Sequence, residues 1–82
     1  MFKVGDKVEW VSQSAGFTTR KQGEVVAIVP AGRSPGLGFL ERFNLQKYRC
    51  MFDGLFRDHE SYLILVKTKL YWPRVRYLNL IK

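Results

Sequence analysis

Two short runs limit what this chain can fold into more than anything else in it. Within Glu24-Val25-Val26-Ala27-Ile28-Val29 and Ser61-Tyr62-Leu63-Ile64-Leu65-Val66-Lys67, every position of 25–29 and of 62–66 is apolar. Strand side chains alternate between faces, so a run of this kind is apolar on both. β-Branched residues dominate the first run, and Pro30 directly after it removes a ladder donor. Both runs are read as central strands. A chain of 82 residues holds one domain, spanning 1–82. At this size roughly 60% of the unfolded surface is buried, so each strand must contribute to the interior. Doubly wound sheets and TIM barrels need far more chain.

The rest of the pattern is also β-rich. Gly5-Asp6 signals a turn, after which Val8 and Trp10 alternate with Lys7 and Glu9 as a half-buried strand. Residues 12–16 are small and polar and read as a loop, residues 17–20 open the next strand, and Gln22-Gly23 reads as a turn. Residues 31–38, with Gly32, Pro35, Gly36 and Gly38, read as a flexible loop. Residues 39–52 have no Gly or Pro, and Leu40, Phe43, Leu45, Tyr48, Met51 and Phe52 recur there mostly at spacings of three and four. That predicts a helix of two or three turns, with strand alternation at Phe43 and Leu45 as the alternative. Asp53-Gly54 reads as a turn and Asp58-His59-Glu60 as a polar corner. Thr68 and Lys69 mark a tight corner. Residues 70–72 form a strand ended by Pro73, 74–77 a single turn, and 78–81 a short closing strand.

Two strands apolar on both faces raise a packing problem. A small barrel buries only the inward face of each strand. The outward set, Val26 with Ile28 or Leu63 with Leu65, therefore needs a cover. Residues 39–52 are one candidate and a second subunit is the other.

The segments V-G-D-K-V-E-W, Q-G-E-V-V-A-I-V, S-Y-L-I-L-V and the closing L-N-L-I together resemble small SH3-like barrels of the Tudor and KOW type. They are most similar to short bacterial and phage Tudor-like proteins. The resemblance implies a mainly β domain, an antiparallel barrel of about five strands, and a binding role without catalysis. It leaves the ligand open among DNA, RNA, ribosomal or polymerase partners, and methylated or proline-rich peptides. Residues 32–58 depart from it as an insertion, longer than the usual connection between the second and third strands.

Charge points to a class of partner. There are 14 Lys and Arg against 7 Asp and Glu, a net charge of +7, and such a surface concentrates nucleic acid or another acidic partner. Lys67, Lys69, Tyr71, Trp72, Arg74 and Arg76 lie within ten residues; cations can neutralise phosphate and aromatic faces can stack on bases. Tyr71 and Trp72 point to opposite faces of a strand, so one of them is outward; core packing of Trp72, with its charged neighbours a solvated edge, is the competing reading. Arg20, Lys21 and Arg33 form a second basic group on loops flanking the first central strand, with Phe17 near enough to stack. The candidate nucleic-acid contacts are thus Arg20, Lys21, Arg33, Lys67, Lys69, Tyr71, Arg74 and Arg76. Trp10 could join Phe17 or Tyr71 in an aromatic cage, but packing in the core is the simpler reading.

No catalytic set is expected, and the chain is read as a non-enzyme. Asp58, His59 and Glu60 have only Cys50 and Asp53 near them in sequence, with no metal-ligand spacing. Cys50 and His59 lack a third orienting group, and Cys50 is read as a small packing residue. Gly32 and Gly36 do not have the spacing of a phosphate loop. No metal or small-molecule cofactor is expected. The single cysteine permits no internal disulfide, the opening residues lack the apolar core of a signal peptide, and no run reaches the roughly 20 residues of a membrane span. The expectation is a cytoplasmic protein without membrane contact. Its partner is DNA or RNA, with a protein partner or homodimer as the alternative.

Overall fold

The computed structural model describes residues 2–14, 16–52 and 57–81. The chain is mainly β. Strands β1 (Lys7–Ser14), β2 (Phe17–Val29), β3 (Arg49–Cys50), β4 (Ser61–Val66), β5 (Lys69–Tyr71) and β6 (Asn79–Leu80) form one sheet, in the order β3-β5-β4-β2-β1-β6. The one α-helix among the described residues is α1 (Leu37–Arg42), and a 3₁₀ turn covers Val75–Tyr77. All pairings are antiparallel except β3 with β5. Six strands stand where about five were expected, because β3 comes from within the long connection. No helix among the described residues is long and apolar enough to cross a membrane.

Both central runs are strands, and β4 shows why they are apolar on two faces. Ser61, Tyr62, Leu63 and Ile64 are all buried. Leu63 packs with Ala27, Val29, Leu40, Leu45, Leu70 and Trp72. Tyr62 and Ile64 pack on the other side with Val8, Trp10, Val25 and Leu78. One sheet thus divides two apolar clusters. The cover problem is solved within the chain: Leu40 of α1 and Leu45 just beyond it lie over the first cluster, with Phe39, Tyr48 and Phe52 against it. The second cluster gathers Val8, Val25, Ile64 and Leu78 from both ends of the chain.

A β-bulge shifts the register of β2 against β4 between Val25 and Ala27. Alternation would put Val25, Ala27 and Val29 on one face. The extra residue instead sends Val25 to the second cluster and Ala27 and Val29 to the first. Val26 and Ile28, expected to share a face, pack on opposite sides for the same reason. The Gly5-Asp6 turn docks beside this bulge. Gly5, at φ 98°, donates to the Val25 carbonyl at 2.8 Å, and the Val25 N–H donates to the Asp6 carbonyl at 2.9 Å.

Several sequence expectations need correction. The helix expected over 39–52 is the six-residue α1, which starts earlier and stops at Phe43. Asn44 adopts φ 57°, and the Leu45 N–H donates back to the Leu40 carbonyl at 2.8 Å. Leu45 and Tyr48 then reach the core from turns, not from a continuing helix. Cys50 is exposed on β3 and packs nothing inside. Gln22-Gly23 is not a turn, because β2 runs through it without a break. A Cβ at Gly23 would stand 2.6 Å from the Leu65 carbonyl oxygen and 2.7 Å from Ile64 Cγ2. The glycine is there for close approach of β4. Much of 12–16 is strand, since β1 extends to Ser14. The tight corner falls at Lys67, φ 58°, one residue earlier than Thr68. The expected Asp53-Gly54 turn lies outside the described residues.

Candidate functional site

The eight candidate contacts do not form one face; they fall into separate places on the sheet. Arg20 and Lys21 lie inside β2 and not on loops, while Arg33 follows the opposite end of that strand. Nine residues of strand, about 30 Å, separate Arg20 from Val29, so the expected basic group of Arg20, Lys21 and Arg33 is split. The cluster at 67–76 is divided as well. Lys67 sits in the β4–β5 turn. Beside it is an open hollow of about 530 Å³ that also touches Lys7, Gln22 and Glu24. Lys69 opens β5 opposite Arg49. Arg74 and Arg76 line a second cleft of about 400 Å³ together with His59 and Val75.

Trp72 is core. It is 5% exposed, and its indole Nε1–H donates to the buried Ser61 Oγ at 2.7 Å. Arg57, which no sequence pattern singled out, stacks on this ring at 3.8 Å from its centroid. The same guanidinium donates to the Trp72 and Pro73 carbonyls at 2.7 and 2.9 Å. It pins β5 as it leaves the sheet. A stacked Arg with satisfied donors is structural chemistry, worth about 0.5–2 kcal/mol from the ring alone.

Tyr71 points the other way and is half-buried, so it is less outward than alternation alone suggested. Its ring meets Trp10 edge-on at 5.6 Å, and the Lys21 ammonium lies over it at 5.2 Å. Lys21 and Trp10 are cross-strand partners in the β1–β2 register, which places all three on one face. Sequence reasoning paired Trp10 with Tyr71 but did not place Lys21 there. Phe17 is not part of this group. It pairs with Ser14, four positions up the hairpin from Trp10 and about 13 Å away along the strand. A further cation–ring pair, Arg76 on Tyr77 at 5.1 Å, stands beside the cleft.

Few of these charges are neutralised. Arg20 stands 4.0 Å from Glu9, a marginal pair. Lys21, Arg33, Lys67, Lys69, Arg74 and Arg76 have no carboxylate within 4.0 Å among the described residues. His59 and Asp58 pair with each other at 3.2 Å on the surface. Among the described residues no group of three His, Cys, Asp or Glu side chains gathers to hold a metal ion. The Tyr62 phenol has a clearly displaced pKa. Burial raises it above the ordinary tyrosine value, the N–H of Phe2 opposes that, and Glu60, which accepts from the phenol at 3.2 Å, adds to it.

The chain matches no family model, no curated protein and no solved structure.

Proposed function

We propose that this chain is a non-catalytic binding module of the SH3-like kind that engages nucleic acid through its basic, aromatic-bearing surface. Curvature supports the barrel. Five antiparallel strands lie side by side, β6-β1-β2-β4-β5, with β3 added at one edge. In a flat sheet β1 and β5 would stand about 14 Å apart, with side chains perpendicular to the plane. The Trp10 and Tyr71 rings are 5.6 Å apart, so the sheet curls around the second cluster.

The observation that carries the nucleic-acid reading is uncompensated charge. Of the seven cations among the candidate contacts, only Arg20 has a carboxylate within 4.0 Å among the described residues. Cations held apart from carboxylates can exchange counterions for phosphates. The alternative, a protein-interaction module or homodimer, drew its force from an uncovered apolar face. That face is covered by α1 and Leu45 of the same chain, so nucleic acid is the reading carried forward.

The test is binding to labelled DNA and RNA oligonucleotides, followed by fluorescence anisotropy from about 50 to about 200 mM salt. Affinity should fall steeply with salt. Arg74→Ala with Arg76→Ala should flatten the logarithmic slope by about 1.8 if both meet phosphate. No binding at the lowest salt refutes the reading. An unchanged slope in the double variant removes the cleft from the interface.

A further inference from the structure

The outer part of the β1–β2 hairpin extends beyond the sheet. β6 pairs with β1 only at Val8 and Glu9, and β4 pairs with β2 only from Glu24 to Val29. Between those limits residues 10–14 and 17–21 pair with each other and with no other described strand. The base of this ribbon is fixed where Trp10 and Lys21 meet Tyr71. Beyond the base, Val11 and every residue from 17 to 20 are exposed. Phe17 is 74% exposed and meets no other ring among the described residues.

This ribbon carries no negative charge of its own. From Trp10 to Gly23 there is no carboxylate, although the next residue on either side, Glu9 and Glu24, is one. The stretch holds Arg20, Lys21, Thr18, Thr19 and Ser12, which offer charge and hydroxyl hydrogen bonds, and places a phenyl ring near its end. A two-stranded ribbon without negative charge on a chain of net charge +7 is complementary to a polyanion.

We propose that this arm enters the major groove of duplex DNA, with Phe17 against thymine methyl groups and Arg20 and Lys21 toward phosphate. The inference rests on the nucleic-acid reading above and adds which nucleic acid and which element. Dimensions select the groove. The paired strands lie about 4.8 Å apart, and the pairs from Val11 with Arg20 to Ser14 with Phe17 span about 10 Å. A B-form major groove is about 12 Å wide and about 8.5 Å deep and admits such a ribbon, whereas the minor groove is about 6 Å wide. The A-form major groove of duplex RNA is too narrow for side chains to read. Apolar side chains read the thymine methyl, which projects only into the major groove.

The experiment compares the full chain and Phe17→Ala on an A·T-rich DNA duplex, the same duplex with uracil for thymine, the matching RNA duplex, and the single strand. An unchanged melting temperature shows that Phe17→Ala leaves the fold intact. The wild type should bind the thymine duplex most tightly. Phe17→Ala should weaken that binding by about threefold to tenfold. Uracil should weaken the wild type by a similar factor and leave Phe17→Ala unmoved. Equal affinity of wild type and Phe17→Ala overturns the arm, and so does RNA duplex or single strand bound as tightly as DNA duplex. A wild-type protein that binds no nucleic acid at low salt overturns the function proposed above as well; binding indifferent to Phe17 overturns this inference alone.

Discussion

Replacing Ser61 by Ala tests whether Trp72 is a core residue and not a stacking platform. Ser61 is fully buried, and its Oγ accepts the indole Nε1–H of Trp72 at 2.7 Å. No buried side-chain polar atom among the described residues lacks a partner, so this bond closes the account at that spot. Alanine would leave the indole N–H buried with nothing to donate to, a loss of about 1–3 kcal/mol. Stability for a chain of this length is about 4–12 kcal/mol, so the loss is a large fraction of the whole. Melting followed by far-ultraviolet circular dichroism should show a fall of about 4 °C or more, at about 4–8 °C per kcal/mol. The decisive comparison is made in a Trp72→Phe background. Phenylalanine has no N–H, so Ser61→Ala should there cost little beyond one hydroxyl. The coupling between the two sites should be about 1–2 kcal/mol. Trp72→Phe should also leave the salt dependence of any nucleic-acid binding untouched, because the ring faces Ser61, Arg57 and Phe52. A Ser61→Ala protein that melts with the wild type, or one equally destabilised in both backgrounds, would refute the reasoning.

Two further outcomes follow from the packing. Gly23→Ala should destabilise by about 1–3 kcal/mol in urea titration, because its Cβ would sit 2.6 Å from a backbone oxygen that cannot rotate away; a loss below about 0.5 kcal/mol would mean that β2 and β4 separate easily there. Tyr62 holds its proton more tightly folded than unfolded, so stability is full below about pH 10 and declines as the pH rises through the raised folded value. Tyr62→Phe should flatten that decline relative to wild type in denaturant melts between about pH 9 and pH 11, and parallel curves would contradict it.

The central strands were legible because burial on both faces leaves an apolar signature that no surface element shares. Val8, Val25 and Ile64 meet in one cluster, and Val25 reaches it because the bulge takes it off the face of Ala27 and Val29. What was not legible depended on partners distant in sequence. The spacing of Leu40, Phe43, Leu45 and Tyr48 records burial toward the sheet, and a helix followed by turns buries those residues as well as a longer helix does. Gly23 uses a glycine to admit a neighbouring strand, which in sequence is indistinguishable from a turn. The bulge at Val26 leaves no mark of its own. The outer halves of β1 and β2 read as loop and strand start because ladder hydrogen bonds, not a buried face, hold them together. For the candidate site, the pairing of Trp10 with Tyr71 was accessible, whereas Lys21 joins them only through the β1–β2 register. Arg33 was grouped with Arg20 by proximity in sequence, and nine residues of strand β2 run on from Arg20 before the chain turns towards Arg33. Arg57 carries no local pattern at all; its role exists only once Trp72 is placed.

The position of β4 between two apolar clusters also governs how the molecule comes apart. Its residues serve the two sides alternately, so dissolving one side exposes half of a strand on which the other depends. Neither side is left as a refuge that could persist by itself. Although its interior is divided, heat should take the whole molecule in a single cooperative step, with calorimetric and van't Hoff enthalpies in agreement.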